Sequence, residues 1–180
     1  MRPILFLSLL AFFVLPANTF AEEIPSAPDV QDHLNFVWTL MAAFLVFFMQ
    51  AGFAMVEVGF TRAKNASNII MKNLMDFCIG ALAFWAVGFG IMFGASRTGW
   101  FGSDGFFFSD FIKDVDPWLY AFWMFQVVFA ATAATIISGA MAERTRFIGY
   151  LFYSLVMSAF VYPVFGSWAW GGLYHGGGWL

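Results

Sequence analysis

Cysteine, histidine and charged residues are all scarce in this chain of 180 residues. Cys78 is the only cysteine, so no intrachain disulfide can form, and its place in an apolar run predicts a small packed side chain. The two histidines, His33 and His175, lie outside the long apolar runs, which excludes a histidine in the middle of a membrane span. Charged residues make up 11% of the chain and the net charge is -3, without a Lys/Arg-rich tract. This pattern does not indicate a nucleic-acid partner.

Groups of residues that could support catalysis are also missing. The sequence offers no candidate cluster for a metal ion, no nucleophilic triad and no phosphate-binding loop. No set of residues in the sequence therefore supports an enzymatic function, and the sequence predicts no cofactor.

Apolar residues dominate what is present. Hydrophobic residues make up 62% of the chain and aromatic residues 22%, which is more apolar surface than a soluble protein could bury. Four runs, at about 34–60, 74–95, 119–141 and 147–170, are long enough to cross a hydrocarbon core of about 30 Å as helices. The sequence predicts an all-α polytopic membrane protein with about four transmembrane helices in a lipid bilayer.

The amino terminus has the features of a secretory signal peptide. Arg2 precedes a short apolar run, and small residues lead to Ala21 before an acidic stretch begins. The apolar run is shorter than the roughly 20 residues that a span needs. We therefore expect residues 1–21 to be a signal peptide and residues 22–33 to be an extracytoplasmic segment; an uncleaved additional span is the alternative.

The charges in the loops predict the orientation of the chain. The first turn carries Arg62, Lys64 and Lys72, and the third carries Arg144 and Arg146, whereas the second loop has four aspartates and one lysine. Basic loops are retained in the cytoplasm. The sequence thus predicts a multi-pass protein of the cell membrane whose mature amino terminus and second loop are extracytoplasmic.

Two carboxylates and a row of small residues stand out within the spans. Glu57 and Asp76 lie near the ends that adjoin the first basic turn, so we expect interfacial carboxylates, with Glu57 paired with Arg62 or Lys72. Gln50 shares a helix face with Glu57, which could mark a polar lining or a helix contact. The third run has small residues at a spacing of four, which predicts close helix packing inside a bundle. These small residues are Ala131, Thr135 and Gly139, with Ala130, Ala134 and Ser138 on the neighbouring row.

Three segments carry a family resemblance. They are MQAGFAMVEVGFTRAKNASNIIMKNLMD at 49–76, FQVVFAATAATIISGAMAERTRF at 125–147 and VYPVFGSWAWGG at 161–172. Through them the chain resembles the amino-terminal part of a member of the ammonium transporter family (Amt/MEP/Rh) over roughly residues 34–180. The resemblance implies ammonium or ammonia transport by a homotrimer. It also implies a complete bundle of about eleven spans built from inverted repeats, with pore-lining histidines on later helices.

The same resemblance implies roles for three aromatic residues. Trp170 matches the Trp of the family's external ammonium recruitment site, where an aromatic ring replaces part of the hydration of the cation. Phe125 and Phe129 match two positions below it: Phe125 contributes to recruitment, and the pair closes the pore entrance. By sequence alone, Trp170 would more simply belong to an interfacial aromatic belt. The spacing of four between the two Phe residues places them on one face of a helix.

Three other interpretations are compatible with the sequence. The chain could be a truncated, non-conducting fragment, because the pore histidines would lie beyond Leu180. It could instead belong to an ammonium sensor, in which a transporter-like module serves a signalling domain. A solute channel of another family would fit the composition equally well and lacks only the three matching segments.

Overall fold

The computed structural model describes residues 26–109, 116–174 and 176–180. The predicted signal peptide and His175 lie outside the described residues. Within them the chain forms four helices long and apolar enough to cross a membrane and no strand, so the predicted all-α class is confirmed. Residues 35–180 form one compact unit. Before them, α1 begins next to Ser26, whose Oγ donates to Asp29 Oδ2 at 2.6 Å.

Each long helix follows one of the predicted runs. The first, α1, spans Ala27–Phe60, and α2 spans Ala66–Ala83 and continues through a π-helical turn at Phe84–Gly88 to Phe89–Phe93. The third, α3, spans Pro117–Met141, and its amino terminus is capped by Asp116, whose Oδ1 accepts from the Trp118 N–H at 2.9 Å. The fourth, α4, spans Phe147–Val156, a π-helical turn at Met157–Val161, and Tyr162–Trp170. Short 3-10 turns lie at Ala63–Asn65, Phe106–Phe108 and Gly171–Leu173.

The first two helices begin earlier than the apolar runs suggested. The first starts at Ala27 rather than near residue 34, and α2 starts at Ala66 rather than near residue 74. For α2 the reason is that Lys72 and Asn73, whose polarity excluded them from the apolar run, are buried inside the bundle. Cys78 follows the buried Asp76 by two residues and so lies on the opposite face of α2, where it is exposed. The prediction of a packed cysteine was therefore wrong.

The third helix is the most buried of the four. In its most apolar window 61% of the residues are buried, against 6% in α1. The small residues Ala130, Ala131, Ala134, Thr135 and Ser138 are all buried, as the predicted close packing requires, whereas Gly139 is exposed. Helices can approach α3 closely along this row because its side chains are short.

Aromatic rings pack the half of the bundle next to residues 94–109, which we call the aromatic half. Phe89 lies at its centre and is fully buried. Its ring centroid is 5.2 Å from those of Phe93 and Phe108, 6.0 Å from that of Phe84 and 6.2 Å from that of Phe122. Such edge-to-face and tilted arrangements are the favoured geometries of aromatic pairs.

The two π-helical turns lie against each other. A Cβ at Gly88 in the α2 turn would be 2.5 Å from the carbonyl oxygen of Ser158 in the α4 turn, so only glycine permits this approach. Pro163 follows the α4 turn and is buried. Proline has no backbone N–H to donate, and its ring displaces the carbonyl group of the preceding turn. The wider π-helical turn accommodates both effects without ending the helix.

Contacts between loops define the two ends of the bundle. Arg62 and Glu143 meet at 3.1 Å, so the turns at 61–65 and 142–146 lie at one end. The indole N–H of Trp168 donates to the carbonyl oxygen of Trp100 at 2.6 Å, which joins the second loop to the end of α4. This arrangement agrees with the predicted alternation of loops. The assignment of the Arg62 end to the cytoplasm remains a prediction from loop charge.

Candidate functional site

Phe125 and Phe129 form an edge-to-face pair on α3. Their ring centroids are 5.0 Å apart and the rings are inclined by 61°. Both side chains are half-buried, and Phe129 packs against the aromatic half. One turn before Phe125, the buried ring of Phe122 stacks on Tyr174 at 5.4 Å. The spacing of four predicted that the two residues share one helix face, and in the structure their rings are also in contact.

Trp170 lies at the last position of α4 with 44% of its surface exposed. Its ring is 6.1 Å from that of Phe165 and 6.5 Å from that of Tyr162. Tyr162 in turn lies 6.5 Å from Phe84 of the aromatic half. In the described part of the chain there is no ring contact between Trp170 and either Phe125 or Phe129. The structure thus brings together two of the three predicted site residues and places the third on a neighbouring helix.

The other half of the bundle, next to the turns at 61–65 and 142–146, contains buried polar groups, and we call it the polar half. Glu57 is only 8% exposed and accepts hydrogen bonds from Asn73 Nδ2 at 2.7 Å and Ser138 Oγ at 2.8 Å. The expected pairing of Glu57 with Arg62 or Lys72 was wrong. The early start of α2 brings Asn73 to Glu57, and Arg62 turns to Glu143 instead.

Asp76 is completely buried rather than interfacial, so its predicted location was also wrong. Its Oδ2 accepts a hydrogen bond from Thr135 Oγ1 at 2.7 Å. The same hydroxyl lies 3.2 Å from Gln50 Oε1, and Gln50 Nε2 donates to Thr132 Oγ1 at 2.7 Å. Hydrogen bonds in the polar half therefore connect α1, α2 and α3.

Lys72 is 1% exposed, although it was expected in a cytoplasmic turn. Its ammonium group lies 5.1 Å from the ring centroid of Tyr150 and donates to Thr145 Oγ1 at 3.5 Å. No carboxylate of the described residues lies within ion-pair distance of it. The face of an aromatic ring thus takes the place of a counter-ion for this buried cation.

The spacing of the polar residues along the sequence could have predicted that these groups meet inside the bundle. Asn73 and Asp76 are three residues apart, as are Thr132, Thr135 and Ser138, and such spacings place side chains on one face of a helix. Gln50 and Glu57 share a face of α1 in the same way. A polar face on three neighbouring spans indicates mutual hydrogen bonding, because lipid offers no alternative partner.

An exposed ion pair closes the end of the polar half. Glu143 accepts from Arg62 Nε at 3.1 Å, from the Arg62 backbone N–H at 2.9 Å and from Asn65 Nδ2 at 2.7 Å. The hydrogen bonds from the Arg62 and Asn65 side chains lower the pKa of Glu143 to about 2. Glu143 also adopts a left-handed conformation with φ 59°, which is unfavourable for a residue with a Cβ. These hydrogen bonds hold it there.

A cavity of about 560 Å³ lies beside this ion pair, and we call it the turn cavity. Arg62, Glu143 and Arg144 line its end at the turns, and Glu57 and Thr135 line it within the bundle. The turn cavity therefore reaches from the turns to Thr135, the residue whose hydroxyl binds Asp76. Among the described residues, no group of three or more His, Cys, Asp or Glu side chains is arranged to hold a metal ion.

Comparison with known proteins gives consistent results. The profile of the Ammonium Transporter Family matches residues 37–180. The chain is 52% identical over 160 residues to ammonium transporter Amt2 of Archaeoglobus fulgidus, covering 89% of this chain and 32% of that protein. It is 44% identical over 157 residues to ammonium transporter Amt1 of Haloferax mediterranei, covering 84% of this chain and 29% of that protein.

Solved structures show the same relationship. A sensor Amt protein is 46% identical to the chain with a TM-score of 0.78, over 82% of this chain and 36% of that one. Mep2 of Candida albicans is 27% identical with a TM-score of 0.67, over 80% of this chain and 32% of that one. The chain spans about a third of the length of the relatives it matches. The profile match, the identities and the shared fold together establish that the chain belongs to the ammonium transporter family.

Proposed function

We propose that the protein to which this chain belongs moves ammonium or ammonia across the cell membrane as a homotrimer. The observation that carries the proposal is the family match over residues 37–180, with 52% identity to an archaeal ammonium transporter. The conducting pore is completed by spans beyond those described, because the matched relatives are about three times as long as the aligned region.

Trp170 and Phe125 are proposed to recruit ammonium at the outer face. Ammonium is strongly hydrated, and moving it into an apolar path without replacing that hydration is costly. An aromatic face can supply up to about 2 kcal/mol to a partly desolvated cation. The half-exposed ring of Trp170 and the half-buried ring of Phe125 suit this role, since the first is accessible to a solute and the second packs in the bundle.

Phe129, together with Phe125, is proposed to close the pore entrance. The contact between the two rings supports this role, because packed rings leave no room between them for water or a hydrated ion. Past this point the substrate would travel as ammonia, after loss of a proton. The gate therefore separates a recruitment step, which depends on charge, from a conduction step, which depends on size.

The recruitment proposal is tested by Trp170→Leu in the complete protein. We expect uptake to fall more at low ammonium than at saturation, because the variant loses a cation-binding ring while the pore is unchanged. Uptake over a range of ammonium concentrations measures this effect. Trp38→Leu is the matched control, since Trp38 on α1 is 79% exposed and has no proposed role. An equal loss at all concentrations would contradict recruitment by Trp170.

The gate is tested by Phe129→Ala, which removes one ring of the packed pair. We expect altered conduction at saturating ammonium with an intact helix, and no such change in the control Phe160→Ala, whose ring is exposed on α4. Uptake rate and circular dichroism are the two measurements. Unaltered uptake by Phe129→Ala would contradict the gate.

An ammonium sensor is the second candidate, because a protein named as a sensor Amt shares this fold at 46% identity. A sensor would couple ammonium binding to a signalling domain instead of, or in addition to, transport. Uptake assays and ammonium-dependent signalling in the complete protein separate the two functions. A third candidate, a non-conducting fragment, would bind to the membrane but show neither activity.

A further inference from the structure

The buried polar groups form a column that runs from the turns toward the middle of the bundle. Hydrogen bonds and ring contacts between helices set the order of its members. Asp76 is ten residues after the start of α2, which corresponds to about 15 Å along the helix axis, or half the thickness of a hydrocarbon core. From the turns inward, the column contains Lys72 and Tyr150, then Glu57, Asn73 and Ser138, and then Asp76, Thr135, Gln50 and Thr132.

Asp76 is the deepest carboxyl group of this column. Its Oδ2 is bound by Thr135, whereas its Oδ1 accepts no hydrogen bond from the described protein groups. The hydroxyl of Tyr150 and the Oδ1 of Asn73, both buried, also lack a partner among these residues. In protein interiors such groups are commonly bonded to a buried water molecule. Ionisable groups inside a membrane usually mark a path for ions or protons.

The charged and titratable groups around Asp76 leave its carboxyl group without an ion pair. On α1 the nearest such group is Glu57, which is itself bound by Asn73 and Ser138. On α4 they are Tyr150 and Tyr153, and α3 presents the neutral Thr135. Lys72, one turn earlier on α2, lies over the Tyr150 ring and forms no salt bridge with Asp76.

Thr135 is the residue that links Asp76 with the turn cavity, because it lines that cavity and its hydroxyl donates to the carboxyl group. A hydroxyl group can accept a proton on its oxygen while it releases its own. A hydronium ion in the cavity would thus give its proton to Thr135 Oγ1, and Thr135 would give its original proton to Asp76 Oδ2. The products are water, an unchanged threonine and a neutral carboxylic acid.

We propose that Asp76 is a proton-binding group that exchanges protons through Thr135 and the turn cavity with the side of the membrane on which the turns lie. This site is separate from Trp170, Phe125 and Phe129. Proton binding at this site requires no ammonium, so its test does not depend on the proposed transport function.

Infrared spectroscopy of the complete protein in lipid, titrated with pH in the absence of ammonium, tests the site. We expect the carbonyl band of a protonated side-chain carboxyl that Asp76→Asn removes and that Glu57→Gln retains. Asparagine keeps the size of the side chain and can still accept from Thr135, and circular dichroism checks its folding. A titration without any band removed by Asp76→Asn would overturn the proposal, because Asp76 would then stay ionised.

The route is tested by Thr135→Val, which keeps Asp76 and the shape of the side chain but removes the hydroxyl. After a rapid pH change on the turn side, we expect the Asp76 band to form about 100-fold more slowly, the low end for loss of a positioned proton-transfer group. If Asp76→Asn fails to fold, Thr135→Val is the variant that tests the proposal. A rate equal to that of the unchanged protein, or a faster response to a pH change on the opposite side, would overturn the route.

Discussion

The aromatic half and the polar half are built from the same four helices and use different chemistry. In the aromatic half, Phe89 is surrounded by rings with centroid distances of 5.2 to 6.2 Å. In the polar half, Glu57 and Asp76 are fixed by hydrogen bonds of 2.7 to 2.8 Å. Lipid is as apolar as a side chain, so burial alone stabilises neither half, and each depends on close contact or on paired polar groups.

The two halves also differ in how strictly they specify position. Rings attract one another in several tilted and edge-to-face arrangements, so the aromatic half can accommodate small rotations. A buried carboxylate tolerates no such change, because a donor that moves away leaves it unpaired. This difference suits the proposed roles, since a gate must move and a proton-binding group must keep its partners.

The largest effect is expected from Phe89→Ala, which removes the central ring of the aromatic half. We expect a loss of about 3 kcal/mol in the free energy of unfolding, the lower end of the range for Phe→Ala, because lipid also solvates exposed apolar side chains. Unfolding of the complete protein in mixed micelles, followed by circular dichroism, measures it. Phe152→Ala on α4 is the control, since that ring is exposed. Equal losses in the two variants would show that the rings do not pack as a unit.

A smaller effect is expected from Ser138→Ala in the polar half. Glu57 Oε1 would lose its donor. This should lower the free energy of unfolding by about 1 kcal/mol, as for other buried hydrogen bonds in soluble and in membrane proteins. Ser67→Ala provides the control, because Ser67 is exposed in the first turn of α2. The same unfolding assay applies. A loss as large as that of Phe89→Ala would contradict the expectation that the central ring of the aromatic half contributes more to the free energy of unfolding than one hydrogen bond of the polar half.

The smallest effect is expected at the surface, from Glu143→Gln. Glu143 has a lowered pKa, so its carboxylate contributes stability above its ordinary pKa of 4.5 and loses that contribution as the pH falls toward about 2. The variant and the unchanged protein should therefore differ slightly at pH 7 and converge below pH 4.5. Salt should reduce the difference, because the pair is exposed. A difference that grows on acidification would contradict the ion pair.

Much of the fold could be predicted from the sequence, and part of the site could not. The run at 147–170 predicted α4 closely, and the spacing of Phe125 and Phe129 predicted that they share a helix face, because both depend on local periodicity. The predicted interfacial location of Glu57 and Asp76 was wrong, because their burial depends on hydrogen-bond partners on other helices. Those partners lie 16 residues away for Glu57 and Asn73, and 59 residues away for Asp76 and Thr135.

By itself, the sequence determined that this chain belongs in a membrane, how many long apolar helices it forms and which family it resembles. These properties follow from composition, run length and short motifs, which tertiary contacts do not alter. Only the tertiary structure decided that Lys72 lies over the Tyr150 ring, that Asp76 is deeply buried beside Thr135, and that Cys78 is exposed. The reason is physical: the cost of a polar group in a membrane depends on the hydrogen-bond partners that other helices bring to it.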